Sequence, residues 1–240
     1  MTADALDLYI TAAHECPYLS ERRATNLLVD PAFTMTAGIY GQLLDKGFRR
    51  SGGDVYRPCC QRCQSCVSTR IAVKDFKPSR SQKRTWKQNQ DLTVRVNEEG
   101  YRREYTQLYL NYVRARHSGG GMDDDTPSSF ARFILAPWCK TALLEFWLNE
   151  RLMAVAATDC LQQGLSSVYT FYDPDEGVER GLGTFALMWQ IEWAKSLGLP
   201  YVYPGYWIAE SPKMRYKINF QPIEGLVDSQ WTYLPKPNAL

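Results

Sequence analysis

Only two histidines, His14 and His117, occur in the 240 residues, and neither stands in a Cys–His or Ser–His arrangement that would activate a nucleophile. No Walker loop is present, so nothing indicates that the chain activates its own substrate with ATP. No apolar run approaches the roughly 20 residues needed to cross a bilayer. The N-terminus carries Asp4 and Asp7 where a secretory leader places basic and then apolar residues. A cytoplasmic protein with no membrane partner is therefore expected. A net excess of either sign is also small, with a formal net charge of +2.

Apolar side chains are not scarce. Hydrophobic residues make up 45% and charged residues 22%, which excludes a disordered chain. The length suits one large domain or two small ones. Aromatics reach 13%, with 15 Tyr and 7 Trp, rings that serve cores and binding clefts alike. Seven cysteines are an odd count for a disulfide scaffold and read as thiols or metal ligands. The charges are unevenly placed. Residues 1–120 hold 19 Lys/Arg against 12 Asp/Glu, and residues 121–240 hold 9 against 14. That asymmetry points to a basic front half that meets a polyanion, or else to chance clustering on a solvated face.

The spacing predicts a strand over 24–29, a helix from Thr36 to Lys46 and a hairpin from Phe48 to Tyr56 turning at Gly52-Gly53. A strand over 70–73 follows, then a helix started by the capping box Ser79–Gln82. Another strand is expected over 92–96, and a helix over 101–116 with Tyr101, Tyr105, Leu108, Tyr109 and Tyr112 on one face. Gly119–Gly121 and Asp123–Asp125 mark the clearest break. The expected division is 1–118, a linker at 119–128, and 129–240. Beyond the break come a meander (141–148, 152–159, 167–172), an amphipathic helix over 182–197 and a strand over 201–203. Strands, a helix entered through Gly181-Leu-Gly183, then a further strand resemble the order of GNAT-type acyltransferases. The fold expected is α+β, an antiparallel sheet with packed helices, plus a smaller N-terminal α/β part.

Arg80, Lys83, Arg84 and Lys87 fall at i, i+3, i+4 and i+7, one face of a helix. Like charges at that spacing repel, and phosphate neutralisation would relieve them. The alternative is a soluble face. Trp86 and Tyr101 are candidates to stack on an exposed base. Cys60, Cys63 and Cys66 have the C-x2-C-x2-C spacing that wraps thiolates around an iron–sulfur cluster or zinc, with Cys16 as a distant fourth ligand. Structural or redox-sensitive thiols are the other reading. Gly181-x-Gly183 at a helix start is read first as a tight strand-to-helix turn and second as a cradle for a phosphate or an oxyanion. Asp173 ends an apolar strand before Pro174, where a turn former and an active-site carboxylate are both plausible.

Tyr56-Arg-Pro-Cys59 with the cysteine run, Phe76 to Arg84, Ala154 to Asp159, Val168 to Pro174, Trp189 to Trp193, Gly198 to Trp207 and Lys213 to Lys217 resemble, in order, the bacterial aspartate/glutamate leucyltransferases. That family is similar to the arginyl-tRNA–protein transferases. The resemblance implies transfer of leucine from leucyl-tRNA to protein N-termini beginning with Asp or Glu, marking them for N-degron proteolysis. A protease adaptor would meet only the product. It also implies a GNAT-like fold and a metal or iron–sulfur cluster at the N-terminal cysteines. An aminoacyl ester is already activated, so the transfer itself needs no cofactor. The attacking amine, with a reference pKa of about 7.7–8.0, benefits from a base. On that basis Asp173 is expected as the base with Tyr172 orienting, the basic stripe as the tRNA contact, Arg70 and Lys213 as the acceptor-carboxylate fork, and Tyr206 and Trp207 as the leucyl pocket. A CoA-dependent N-acyltransferase, which needs an intact pyrophosphate loop where this chain has Val178, and a non-enzymatic tRNA-binding module remain as alternatives.

Overall fold

The computed structural model describes residues 6–116 and 126–236. Gly119–Gly121, Asp123–Asp125 and His117 lie outside the described residues.

Along the front half run β1 (Leu8–Ile10), β2 (His14–Glu15), β3 (Arg23–Ala24), β4 (Asn26–Val29), α1 (Ala37–Asp45), β5 (Arg49–Ser51) and β6 (Asp54–Pro58). Then come β7 (Val67–Ala72), α2 (Arg80–Gln88), β8 (Thr93–Asn97) and α3 (Arg103–Arg116). The back half holds α4 (Pro127–Ile134), β9 (Thr141–Leu148), β10 (Arg151–Leu161), β11 (Gly164–Tyr172), α5 (Leu182–Ser196) and β12 (Tyr201–Trp207). A 3-10 turn (Arg215–Asn219), β13 (Ile223–Val227) and β14 (Gln230–Tyr233) close it. The caps are the ones the side chains dictate. Thr36 accepts from the Ile39 amide at the start of α1, and Ser79 with Gln82 forms a reciprocal capping box at α2. Thr126 and Ser129 do the same for α4, with Pro127 in its first turn.

The main sheet has the order β14-β13-β7-β12-β11-β10-β9-β8 and is antiparallel except for the pair β11/β12. It draws β7 and β8 from the first 118 residues, so the expected division at 119–128 does not divide this sheet. β7 slots between β12 and β13 because β12 offers it a free edge once the meander is complete. On one face of β10 and β11 lie α3 and α4, where Tyr109 stacks on Phe130 at 4.1 Å and meets Phe171 edge-on at 5.8 Å. α5 covers the other face, where Leu187 and Ile191 join Leu165 and Val202 in a second cluster.

A small sheet, β1-β4-β6-β5, and α1 pack against the main sheet through Tyr40, Leu44, Phe48, Leu161 and Tyr203. One buried ion pair crosses that junction. Arg50 of β5 donates from Nε and Nη2 to the two Asp159 oxygens of β10, each at 2.7 Å. Thr141 Oγ1 donates to Asp159 Oδ1 at 2.7 Å, and Arg50 Nη2 also reaches the Ile134 carbonyl at 2.9 Å. Neither charged side chain is more than 1% exposed. Removing one partner strands the other charge in the interior. Asp159→Ala is expected to lower the unfolding free energy by about 3–5 kcal/mol, measured by urea denaturation, and Asp159→Asn, which keeps acceptor oxygen, by less.

Candidate active site

Parallel pairing between β11 and β12 lasts for three residue pairs, ending at Ser166↔Tyr203. Both strands then carry one extra residue. On β11, Thr158 pairs with Ser167 and Ala157 with Tyr169, which leaves Val168 as a bulge. On β12, Val202 pairs with Ile71 and Gly205 with Thr69, three residues against two. Bulges bend a strand and redirect its side chains, and they recur beside active sites. Here the pair opens into a split.

The walls of the split come from different elements. Before the β11 bulge, Ser167 meets Gln190 of α5; after it, Tyr169 faces Phe133 of α4 at 5.1 Å. At the end of β11 the Tyr172 ring lies 4.8 Å from Tyr112 of α3, with the Arg116 guanidinium 5.9 Å from its centroid. It also packs on Gly177, where any β-carbon would come within 2.5 Å of the ring. On the β12 side stand Trp207, whose Nε1 donates to Arg215 O at 3.3 Å, and the 3-10 turn with Tyr216 and Lys217.

α2 runs along the mouth of this split, tied at both ends. Gln82 Nε2 donates to Asn219 O at 3.2 Å, at the end of the 3-10 turn. Asn89 Nδ2 donates to Arg180 O at 2.8 Å, just ahead of α5. Gln82, Thr85, Trp86 and Asn89 form the packing side, with Trp86 against Phe185 at 5.2 Å. Arg80, Lys83, Arg84 and Lys87 are exposed, and among the described residues none is in ion-pair reach of a carboxylate. Trp86, expected to stack on a base, is half-buried and packs on Phe185 in this structure. Tyr101 likewise lies edge-on to Tyr105 and Phe130, each at 6.1 Å.

Three sequence expectations meet different surroundings. Asp173 is fully engaged: Oδ1 accepts from the Asp175 and Glu176 amides at 3.0 and 3.1 Å, and Oδ2 from Arg151 at 2.6 Å. Burial alone would raise its carboxyl, but the Glu176 amide, Arg151 and the Asp175 amide outweigh it and hold the group below the ordinary carboxylate range. A carboxylate so held closes a turn and is a poor proton acceptor. Arg70 lies between the faces of Tyr201 (3.9 Å) and Trp231 (4.4 Å) and pairs with Glu224 at 2.5 Å. It fastens β7 to β12–β14, with its charge already met by Glu224. Tyr206 and Trp207, being successive, point to opposite faces of β12. Tyr206 donates to Gly47 O at 2.8 Å beneath the small sheet, so the two do not share a pocket. Lys213 is exposed just ahead of the 3-10 turn.

Cys16, Cys60, Cys63 and Cys66 line one cavity of about 820 Å³ against the small sheet. Burial, and then the neighbouring thiols Cys16, Cys60 and Cys63, push Cys66 up to about 12. Cys63 is held below the ordinary thiol range by Ser65 and Arg22, the latter donating to its Sγ at 3.3 Å. Among the described residues no three His, Cys, Asp or Glu side chains are placed to hold a metal ion. The donor set does not fit a zinc ion or a cluster as it stands, and nothing in the chemistry below runs through one. No described helix is long and apolar enough to cross a membrane.

The Asp173 turn yields a pH test. Its folded-state pKa lies below the unfolded value of about 3.9, so its stabilisation is present above that pH and is lost as pH falls through the folded pKa. Asp173→Asn is expected to lower stability at pH 7 by about 0.5–1 kcal/mol, Arg151 being half exposed. Urea midpoints of the two proteins should converge as pH drops from 6 toward 3.

The chain matches two family models in order, "Arginine-tRNA-protein transferase, N terminus" over residues 14–84 and "Arginine-tRNA-protein transferase, C terminus" over residues 104–227. It is 47% identical over 229 residues to an aspartate/glutamate leucyltransferase of Nitrosococcus oceani, covering 95% of this chain and 96% of that one. Proteins of the same name from Pseudomonas fluorescens and Hahella chejuensis are 45% and 42% identical, over 95% and 94% of this chain and 97% and 96% of theirs. Among solved structures, L-PGS from Bacillus licheniformis superposes with a TM-score of 0.47 at 11% identity, over 65% of this chain and 52% of that chain, about half its length. With both halves of the family matched in sequence order and near-full-length relatives above 40% identity, the chain belongs to the arginine-tRNA-protein transferase family.

Proposed function

We propose that the protein transfers leucine from leucyl-tRNA to the α-amino group of proteins whose first residue is Asp or Glu. The observation that carries this reading is α2, which presents four exposed cations, without an ion-pair partner among the described residues, along the mouth of a split, with one end tied to each wall. A basic helix in that place suits a polyanion whose reactive end must enter the split. The near-full-length relatives supply the donor and acceptor.

The chemistry asks little of the protein beyond placement. The ester is activated before it arrives, and aligning two bound substrates lowers the barrier by removing translational freedom in advance. Trp207 and Tyr172 offer aromatic walls for a leucyl side chain. Lys213 and Arg116 are the cations toward which an acceptor carboxylate would turn. Such an apolar pocket discriminates by only about 1–3 kcal/mol per methylene, so the synthetase that charges the tRNA carries part of the selection. Marking of the product for degradation, and a cytoplasmic setting, belong to the same reading.

Labelled leucine supplied as leucyl-tRNA should appear on peptides beginning with Asp or Glu and not on one beginning with Ala. Labelling from acetyl-CoA instead would identify an ordinary N-acyltransferase, and arginine accepted in place of leucine would overturn the donor. Arg80, Lys83 and Arg84 changed together to Glu should abolish tRNA binding in a filter assay. Changed to Ala, each should reduce the slope of log affinity against log salt by about 0.7–0.9. An unchanged slope would remove α2 from the interface.

A further inference from the structure

Lys217 is a buried amine, 6% exposed, that none of the steps above uses. Its position follows from the backbone of β12. Thr69 Oγ1 of β7 donates to the Gly205 carbonyl at 2.6 Å, so that carbonyl points toward β7. Successive carbonyls of a strand point to opposite edges. The Tyr206 carbonyl therefore faces the edge that β11 has vacated, and Lys217 Nζ donates to it at 2.8 Å. That puts the amine at the edge of β12 where the ladder to β11 has ended. Gly205 beside it has φ +92°, a backbone conformation that favours glycine.

Among the described residues the surroundings of Nζ offer no counter-ion. Met214 Sδ is 3.7 Å away and the Tyr216 ring centroid 6.0 Å. Among the described residues no carboxylate pairs with it. From behind β12 it feels the Arg49 guanidinium of β5, which lies 5.7 Å from both the Tyr203 and the Tyr206 ring, and from the β7 side the Cys66 thiol. Burial first, and Arg49 second, push the amine down to about 7, with Cys66 pulling weakly the other way.

Resting on the aminoacyl-transfer reading, we propose that Lys217 is the base that takes a proton from the acceptor's α-amine as it adds to the leucyl ester. The nitrogen lone pair of the free amine forms the bond to the ester carbonyl carbon, and one N–H proton passes to Lys217 Nζ. The bond from that carbon to the ribose oxygen breaks, the electron pair stays on the oxygen, and Lys217 returns the proton there. The products are an amide and a ribose hydroxyl, with Lys217 neutral again. Throughout, a second hydrogen of Nζ stays on the Tyr206 carbonyl, which keeps the lone pair aimed away from β12.

The test is the pH dependence of kcat/KM for an Asp-initiated peptide at saturating leucyl-tRNA, between pH 5.5 and 9. Two groups must be unprotonated in the wild type, Lys217 and the acceptor amine, so the logarithmic slope should approach 2 at the acid end. Lys217→Met should reduce the slope to 1 and lower the plateau at least ~10²-fold, with tRNA affinity unchanged. Lys217→Arg, permanently protonated, should not restore it. Arg49→Gln removes the neighbouring cation and should move the steep region to higher pH, a readout that stands even if Lys217→Met does not fold. A wild-type slope of 1, a plateau loss under tenfold in Lys217→Met, or an unmoved steep region in Arg49→Gln would each overturn the assignment. A wild type that moves no leucine at all would instead refute the aminoacyl-transfer reading.

Discussion

Arg50 and Asp159 meet in a region from which water is excluded, and a charge in such a place is tolerated only with its partner in register. The pair is two-pronged and further braced by Thr141, so the small sheet has one seat on the large one. Arg49, the adjacent residue, donates instead to the Phe48 and Thr69 carbonyls and lies against Tyr203 and Tyr206. A strand of three residues thereby fixes β10 on one side and β7 with β12 on the other. The rear wall of the split is held in place from here, and the electrostatic environment of Lys217 with it.

The split is a consequence of backbone counting. Each strand carries a bulge against its outer neighbour, β11 against β10 and β12 against β7, and beyond Ser166↔Tyr203 the two no longer pair, so the released carbonyls and amides must find other partners. One of them, the Tyr206 carbonyl, finds an amine. The aromatic content of the chain is concentrated around this opening and the layer beneath it, where Tyr109, Tyr112, Phe130, Tyr169, Phe171 and Tyr172 contact one another ring to ring. Rings of that size leave little room for adjustment, which suits a site that must align two large substrates.

Periodicity made most of the fold legible. The helices over 37–45, 80–88, 103–116 and 182–196, the hairpin at Gly52-Gly53 and the three-stranded meander all lie where spacing and caps put them. The short helix Pro127–Ile134, the strands β13 and β14 and the extension of β12 through Pro204 were not legible, because each is fixed by a tertiary neighbour rather than by its own pattern. The site was legible in part. A cationic stripe shows in the sequence as spacing, and its exposure follows from the opposite face having a partner in α5. Asp173 misleads because a carboxylate before proline looks the same whether it faces substrate or caps its own loop, and only Arg151 and two amides tell them apart. Arg70 misleads likewise, its partners being 154 residues away at Glu224 and further at Trp231. Lys217 stands in the Lys213–Lys217 segment that carries the resemblance, but the sequence alone gives it no role, because only its burial sets it apart from the neighbouring cations.

α2 is a strap as well as a surface. Its first turn holds the end of the 3-10 turn through Gln82, and its last residues hold the approach to α5 through Asn89, so it spans the opening like a clasp across a purse. Whatever grips its outer face pulls on both sides of the opening together. A contact made on its exposed outer face therefore bears on both sides of the opening through the two ends of one nine-residue helix.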